Sequence, residues 1–410
     1  MRKTRLAAEK RPRVLILGHL PPSQGGPATY LSAILSSRLT EQFELRPYNI
    51  GRPPKAGVHN NFGYSVLWNA GMRRMLLAIA ITLRHLLLFP LELLRFRPAI
   101  VHIHTAPYWV FWETSIYITL CNIFRIPCAL QLHYSFRLFY SSCSAIPRRL
   151  ILSVLRRVSV FVVICRDDQR FLNDLGVTKI KSTYLPNCID VEGVRLSSGE
   201  TARARAHEED LEILFLGGSD TVRKGLRDLL KAIPTIAQRF PEARFRLVAV
   251  PGDLVESILP NDHLGRCVIE GWVSGRDKNE RLARADIFVL PSHGEGMPIA
   301  ILEAMAASLP IVATDVAGIP DMIRHEQEAL LIPPGDVPAL AAAINRLLGS
   351  SELRKALGGR AGERVTREYD LPRGVERWES LYRSLLGDAS LARGEQGRGP
   401  NEASGRGGRR

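Results

Sequence analysis

Cysteine is scarce in this chain, and the few cysteines stand far apart. Six occur among 410 residues, and none belongs to a Cys-x-x-Cys motif. They are Cys121, Cys128, Cys143, Cys165, Cys188 and Cys267. This usage is typical of a reducing compartment, and it argues against both disulfides and a structural zinc site.

Long apolar runs are also missing. No segment offers about 18 uninterrupted apolar residues, which is the length that a membrane-spanning helix requires. The basic segment from Met1 to Arg13 precedes the apolar run Val14 to Leu17, which is too short for the core of a signal peptide. The sequence therefore predicts no membrane span and a cytoplasmic location.

Positive charge is in excess. Lys and Arg number 55 against 41 Asp and Glu, which gives a net charge of +14. The hydrophobic fraction of 46% and the charged fraction of 23% are those of an ordinary folded protein, so the imbalance is the unusual feature. It indicates an anionic partner, namely a nucleotide, an acidic membrane or a nucleic acid.

The most informative stretch runs from Phe288 to Ala306, FVLPSHGEGMPIAILEAMA. An apolar strand precedes a turn in which Gly294 and Gly296 are expected to allow positive φ angles. Pro298 suits the first position of a helix, and the unpaired amides of such a helix start bind phosphate or another anion. The stretch thus predicts a strand, an anion-binding turn and a helix.

Two carboxylates bracket this helix start, Glu295 in the turn and Glu303 eight positions later. Taken alone, Glu295 would be interpreted as an ordinary polar loop residue. Glu303 could be a solvated helix residue, although its apolar neighbours favour burial. A carboxylate repels phosphate but accepts hydrogen bonds from vicinal hydroxyls. The combination indicates a nucleotide-sugar, which offers a diphosphate, a ribose diol and a sugar ring.

Two further junctions of strand, glycine turn and helix occur. Gly25 and Gly26 follow the first strand, and Arg223 and Lys224 follow the strand that ends at Leu216. A glycine pair alone is weak evidence, and a basic turn alone is most simply a solvated one. At a strand–helix junction, however, two cations can clamp a diphosphate and stabilise it as a leaving group.

Alternation of strand-like and helix-like segments runs through both halves of the chain. It predicts an α/β protein with two Rossmann-like parallel-sheet domains that face a cleft. The predicted divisions are a basic tail over 1–11, a domain over 12–192, a linker over 193–210, a domain over 211–370, a helix over 371–388 and a disordered tail over 389–410.

The segment around Glu295 and Glu303 resembles the Glu-x7-Glu signature of family-4 retaining glycosyltransferases (glycosyl transferases group 1), which have the GT-B fold. The sequence from Leu185 to Asp190 is similar to the family's Pro-Asn-Gly-Val-Asp, with Cys188 in place of the glycine. Two more matches are Glu270 to Val273, like the turn that holds the nucleobase, and Asp315 to Asp321, like the Gly-x-Pro-Glu turn. The resemblance covers about Val14 to Leu386 and implies that the helix over 371–388 crosses back onto the first domain.

The resemblance implies roles for the C-terminal domain, which is expected to bind the nucleotide-sugar. Glu295 and the amides of Gly296 and Met297 hold the sugar, and Glu303 takes the ribose hydroxyls. Lys224, with Arg223, neutralises the diphosphate leaving group. The family usually carries an arginine directly after the first glycine of that loop, where this chain has Gly218. We expect Arg223 to substitute for it from the other side of the loop.

Roles in the N-terminal, acceptor-binding domain follow in the same way. Gly25 and Gly26 let the backbone approach the donor, and His133 lines the transferred sugar. From the residues alone, His133 is equally a core histidine. His102 and His104 resemble a metal pair, but no third ligand is evident, so two polar residues on a strand are favoured. The resemblance implies metal-independent chemistry with no cofactor, since the nucleotide-sugar is a co-substrate.

The stretch from Gly71 to Arg97 is the most apolar part of the first half and carries basic residues such as Arg73 and Arg74. Trp68 lies nearby, and the segment from Tyr108 to Phe124 is also apolar. Part of this region must be core. The rest is typical of a helix that lies on an anionic membrane surface, and we expect peripheral binding on the inner face.

The predicted function is transfer of a sugar, with retention, from a nucleotide-sugar to a lipid-linked or saccharide acceptor in envelope or exopolysaccharide synthesis. No specific nucleic acid is expected as a partner. Two alternatives remain. One is a sugar-nucleotide epimerase or phosphorylase of the same fold, and the other is a non-catalytic binding subunit, which would explain Gly218.

Overall fold

The computed structural model describes residues 11–21, 23, 25–51, 72–177, 179–196, 211–218 and 220–396. Within these ranges, the side chains of 72–79 and 388–396 are not described. Nearly all of the predicted basic tail, most of the predicted linker, and residues 397–410 lie outside the described part. Two six-stranded parallel sheets organise the rest, which confirms the predicted α/β class.

The first sheet contains six strands in the order β2-β1-β3-β4-β5-β6. Its strands are β1 (Arg13–Gly18), β2 (Glu44–Asn49), β3 (Ile100–Thr105), β4 (Cys128–Leu132), β5 (Val160–Val163) and β6 (Ser182–Tyr184). Its helices are α1 (Gly26–Leu35), α2 (Leu39–Gln42), α3 (Met72–Phe96), α4 (Trp109–Ile123), α5 (Phe136–Ser141), α6 (Ala145–Leu155) and α7 (Arg166–Asp174). The apolar runs form strands because helices cover both faces of a parallel sheet.

The second sheet has the order β12-β11-β10-β7-β8-β9. Its strands are β7 (Glu212–Leu216), β8 (Arg244–Val248), β9 (Cys267–Glu270), β10 (Ile287–Leu290), β11 (Ile311–Thr314) and β12 (Ala329–Ile332). Its helices are α8 (Leu226–Arg239), α9 (Gly252–Ile258), α10 (Asn261–Leu264), α11 (Gly275–Arg284), α12 (Ile299–Ala306), α13 (Ile319–Met322), α14 (Val337–Leu348) and α15 (Ser351–Glu368). The last helix is α16 (Leu371–Gln396).

Each sheet reverses its strand order at one point. In the first sheet the reversal lies between β1 and β3, and in the second it lies between β7 and β10. Ligands of open α/β sheets bind at such points, beyond the carboxyl ends of the strands. The loops that carry Gly25, Lys224 and Glu295 all begin there.

Helix α16 joins the two domains. Its residues Trp378 and Tyr382 are fully buried. The indole Nε1 of Trp378 donates a hydrogen bond to the hydroxyl of Tyr30 at 2.7 Å, and the hydroxyl of Tyr382 lies 2.7 Å from Nδ1 of His102. Since Tyr30 and His102 belong to the first domain, the helix packs back onto it.

The predicted start of the disordered tail needs correction. Helix α16 continues to Gln396, so residues 389–396 are helical where a disordered tail was expected. The Ala, Leu, Arg and Glu residues of that stretch are strong helix formers, and they extend a helix that is already anchored by packing. Residues 191–196 are also helical, so the predicted linker begins within a helical segment.

Candidate active site

Two loops meet at the reversal point of the second sheet. The loop after β7 ends at Gly225, which caps α8 with a φ of 84°. A Cβ atom at this position would lie 1.9 Å from the carbonyl oxygen of Pro291, so only glycine allows the loops to approach. The amide of His293 completes the contact by donating to the carbonyl of Arg223 at 2.8 Å. This approach brings the basic loop beside Glu295.

Glu295 is buried and firmly held. Its Oε1 atom accepts a hydrogen bond from Oγ of Ser292 at 3.1 Å, and its Oε2 atom lies 3.5 Å from Nη1 of Arg223. The Arg223 guanidinium also contacts Asp220 through Nε, at 3.1 Å, and donates to the carbonyl of Gly294. The carboxylate thus has a fixed direction and an ion-pair partner in Arg223.

Lys224 lies in the same cluster. Its Nζ atom is 3.5 Å from the carbonyl oxygen of Leu216. Burial lowers the pKa of this ammonium group, whereas the negative charges of Glu295 and Glu303 act in the opposite direction. The structure therefore brings together the four predicted charged residues, which are Arg223, Lys224, Glu295 and Glu303.

Glu303 has a partner that sequence reasoning missed. The Nζ atom of Lys278, on α11, lies 2.5 Å from Oε1 of Glu303, and both side chains are largely buried. The signal in the sequence was a carboxylate in an apolar helix, which requires a cationic partner. Nothing local to the sequence identified that partner as Lys278.

The start of α12 differs from prediction in two respects. Pro298 is the cap residue, and the helix begins at Ile299. Gly294 and Gly296 do not have positive φ angles. At Gly296 an added Cβ would lie 2.9 Å from the Cα of Tyr134, so glycine is needed there. At Gly294 an added Cβ would lie 2.8 Å from the hydroxyl of Tyr134, which is the end of a side chain that can shift.

The amides of Gly296 and Met297 face no acceptor within the described part of the chain. Unpaired amides at a helix start favour an anion or another acceptor atom. The carbonyl of Met297 is held from the first domain, since it accepts a hydrogen bond from Nδ2 of Asn187 at 2.9 Å. These two amides therefore keep a fixed position.

The opposite wall of the cleft comes from the first domain. Gly25 has a φ of 125° and caps α1. A Cβ at Gly26 would lie 3.2 Å from Cγ1 of Ile299, the first residue of α12. The starts of α1 and α12 thus face each other, with Gly26 in close approach to Ile299.

His133 follows the carboxyl end of β4. Its Nε2 atom lies 2.8 Å from Nδ1 of His104, and the two rings stack at 5.1 Å. Burial, aided by the nearby His19, lowers the pKa of His133 to about 3. The ring is therefore neutral at physiological pH. The ring of His102 packs against His104 in turn, with the centroids 3.9 Å apart and the planes tilted by 45°.

The described residues contain no group of three or more His, Cys, Asp or Glu side chains that could hold a metal ion. The carboxylate of Asp168 instead accepts hydrogen bonds at the start of α5, from Oγ of Ser135 at 2.8 Å and the amide of Phe136 at 2.8 Å. The carboxylate of Asp321 accepts one from the amide of Arg166, at 2.6 Å, and so links the domains.

Two residues depart from the family pattern, Gly218 and Cys188, and the structure shows the backbone conformation and the surroundings of each. Gly218 has a φ of 131°, a value that side-chain-bearing residues rarely adopt, and a Cβ there would be 3.6 Å from the ring of Trp272. Cys188 does not have a positive φ, so the strain that would follow from such an angle does not arise. Its thiol instead occupies space beside Gly374 of α16.

Comparison with solved structures places this architecture in a known class. Sucrose-phosphate synthase from Thermosynechococcus elongatus superimposes with a TM-score of 0.73 over 92% of this chain and 100% of its own, at 19% identity. Anabaena HepE, in a complex with UDP and glucose, gives a TM-score of 0.67 over 91% of this chain and 100% of its own, at 15% identity. The two facing domains therefore have the GT-B fold.

Family models match both halves. The model Glycosyltransferase Family 4 matches residues 50–192, and the model Glycosyl transferases group 1 matches residues 210–350. The chain therefore belongs to the family-4, group 1 glycosyltransferases.

The sequence matches to individual relatives cover only part of each relative's length. A phosphatidyl-myo-inositol mannosyltransferase of Mycobacterium leprae is 33% identical over 52% of this chain and 59% of its own. Sulfoquinovosyl transferase SQD2 of Arabidopsis thaliana is 31% identical over 43% of this chain and 32% of its own. An exopolysaccharide phosphotransferase of Streptomyces coelicolor is 40% identical over 33% of this chain and 13% of its own. The chain thus spans less than two thirds of the length of each of these relatives.

Proposed function

We propose that this protein transfers a hexosyl group, with retention, from a nucleotide-sugar to a lipid-linked or saccharide acceptor in envelope or exopolysaccharide synthesis. The observation that carries the proposal is that Lys224, Glu295 and Glu303 lie close enough for their charges to interact, near the amides of Gly296 and Met297, which face no acceptor among the described residues. HepE, which has the same fold, was crystallised with UDP and glucose, and several relatives are named as sugar transferases.

In the proposed donor complex, the diphosphate lies between the ammonium of Lys224 and the start of α12. Glu295 and the two amides hold the sugar, and Glu303 takes ribose hydroxyls. Arg223, already beside Glu295, supplies the second positive charge. It replaces the family's arginine, which is absent at the position of Gly218. Gly25, Gly26 and His133 close the cleft from the acceptor side.

In the proposed reaction, the bond between the anomeric carbon and the diphosphate oxygen breaks, and its electron pair leaves with the diphosphate. The acceptor oxygen bonds to the same face of the sugar, and its proton passes to a donor phosphate oxygen. Lys224 and Arg223 stabilise the developing negative charge, as preorganised cations do. No protein nucleophile and no metal ion is assigned a step.

A lipid-linked acceptor is supported by the outer surface of the first domain. Three helices, α3, α4 and α6, expose a set of large apolar side chains. They are Leu83, Leu87, Leu88, Leu91, Leu94, Trp109, Ile116, Ile123, Ile146 and Leu150. An exposed apolar surface of this extent is typical of an interaction site.

Exposed arginines occur on the same helices and at their ends, namely Arg84, Arg95, Arg97, Arg125, Arg149, Arg156 and Arg157. Apolar side chains next to cations suit an anionic lipid surface. No helix among the described residues is long and apolar enough to cross a bilayer, so we propose peripheral binding at the inner face. Trp68 and the side chains of Arg73 and Arg74 lie outside the described part.

Titration calorimetry with a panel of nucleotide-sugars, followed by NMR analysis of the products with and without acceptor, tests the proposed reaction. Transfer that needs an acceptor alcohol, retains the anomeric configuration and survives EDTA is expected. Donor isomerised without acceptor would instead indicate an epimerase. Binding without turnover for every acceptor would indicate a non-catalytic subunit.

A further inference from the structure

We propose that Lys278 and Glu303 act as a pair that reads both hydroxyls of the donor's ribose, one through a donated and one through an accepted hydrogen bond. The inference rests on the proposed donor site. It adds a binding residue, Lys278, and a defined chemistry for recognising a ribonucleotide.

The geometry singles out this lysine. Its Nζ atom lies 2.5 Å from Oε1 of Glu303, and its side chain is only 16% exposed. A surface lysine normally extends into water and forms weak, screened pairs. Lys278 instead points inward from α11, the helix that follows the turn Glu270–Val273, where the base of the nucleotide is expected.

Lys278 also belongs to the donor-site cluster. Its charge is close enough to Lys224 to oppose protonation of that ammonium, whereas Glu295 and Glu303 favour it. The cluster therefore holds two lysines, Arg223 and at least two carboxylates within one partly dry region. A ligand that reaches Glu303 must also meet Lys278.

The chemistry follows from counting donors and acceptors. A carboxylate has only acceptors, so an isolated Glu303 would require both ribose hydroxyls to donate to it. In this structure one of its oxygens, Oε1, is already engaged by the ammonium. Oε2 remains for one hydroxyl, and the remaining N–H groups of Lys278 are available for the oxygen of the other. Each contact is charge-assisted and therefore strong.

Deoxynucleotides test the assignment directly. Calorimetry compares binding of UDP, GDP and ADP to the wild type, and the tightest binder is then compared with its 2′-deoxy and 3′-deoxy forms. We expect each deoxy form to bind about tenfold or more weakly, the scale of one hydrogen bond to a charged group. In Lys278→Met, discrimination against one deoxy form should disappear while the other persists. Glu303→Gln should show the reverse pattern.

Control variants distinguish a role of Lys278 in ribose recognition from a purely structural role. Arg276→Met removes a positive charge from the same helix, at a residue paired with Glu280 rather than Glu303, and should leave both discriminations intact. Lys278→Arg should restore part of the lost selectivity. If Lys278→Met unfolds because it leaves Glu303 unpaired, the neutral double variant Lys278→Met/Glu303→Gln is used, and it should lose both discriminations.

The experiment distinguishes a failure of the role proposed for Lys278 from a failure of the proposed donor site. Unchanged affinity and unchanged discrimination in Lys278→Met would overturn the inference and leave the donor site in place, with Lys278 only a structural partner of Glu303. Wild-type protein that binds none of the three diphosphates would overturn the proposed donor site, and this inference with it.

Discussion

The Nε2 atom of His133 lies 2.8 Å from Nδ1 of His104, so the histidine expected at the transferred sugar is held by a second imidazole. His104 stands on β3, at the reversal point of the first sheet, and is fully enclosed by His102, His133 and Tyr30. The hydrogen bond requires one ring to donate and the other to accept, so the tautomer of one ring determines that of the other.

Replacing His104 should therefore impair catalysis without weakening the binding of the donor. In His104→Leu, we expect kcat to fall by about 10- to 100-fold, because a ring displaced by about 1 Å is no longer positioned for the reacting sugar. The KM for the donor should stay nearly constant, since Lys224 and Glu303 are unchanged. His104→Asn, whose amide nitrogen can replace Nδ1, should recover part of the rate. Steady-state kinetics would contradict this role if both variants matched the wild type.

The same histidines should make the protein sensitive to acid. Burial lowers the pKa of His102 and of His133 to about 3, and that of His104 well below its usual range. In the unfolded chain the pKa of each of these imidazoles is about 6.5. Below that pH the unfolded state binds more protons than the folded state, so stability falls as pH falls, by up to about 1.4 kcal/mol per unit for each histidine.

Urea titrations between pH 7.5 and 5 measure this slope. We expect His102→Phe to show a shallower loss of the free energy of unfolding on acidification than the wild type, whatever its stability at pH 7.5. Equal slopes would show that His102 does not titrate differently in the two states.

Local sequence patterns predicted the strands and helices but not the contacts between residues far apart in the chain. Runs such as Glu212–Leu216 and Ile287–Leu290 form the predicted strands because they are short, apolar and bounded by turns. The role of Gly296 could not be read in the same way, because the atoms that exclude a side chain there belong to Tyr134 of the other domain. The pairing of Glu303 with Lys278 depends on how α11 packs against α12, which no local pattern specifies.

Loss of either central charge should nearly abolish transfer. We expect Lys224→Ala and Glu295→Ala each to reduce kcat/KM by at least about two orders of magnitude, the scale of removing one preorganised charge-stabilising group. Lys231→Ala, at an exposed lysine on α8, is the control and should retain activity. A near-normal rate in either of the first two variants would remove the assigned role.

Membrane binding should depend on the exposed leucines of α3. Leu87 is 74% exposed and Leu94 is 57% exposed. The double variant Leu87→Glu/Leu94→Glu places two negative charges on this surface and should lose co-flotation with anionic liposomes. Leu196→Glu is the matched control, because Leu196 is 73% exposed but lies outside the three helices. Absence of wild-type flotation, or equal flotation by all three proteins, would exclude this surface.

Cys188 and Gly374 should show strong coupling in stability. A Cβ at Gly374 would lie 2.1 Å from Sγ of Cys188 and 2.8 Å from its Cβ, so Gly374→Ala should destabilise the wild type by about 1–3 kcal/mol. In a Cys188→Gly background both atoms are gone. The same Gly374→Ala change should then stabilise the protein by up to about 1 kcal/mol, because alanine is the better helix former.

Gly387→Ala provides the reference for α16, since no atom of the described residues lies within 4 Å of a Cβ added there, and it should be mildly stabilising in both backgrounds. A double-mutant cycle by chemical denaturation measures the coupling directly. The sign of Gly374→Ala must reverse when Cys188 is replaced by glycine. If the change is destabilising by the same amount in both backgrounds, the thiol is not what excludes a side chain at 374, and another neighbour of α16 must do so.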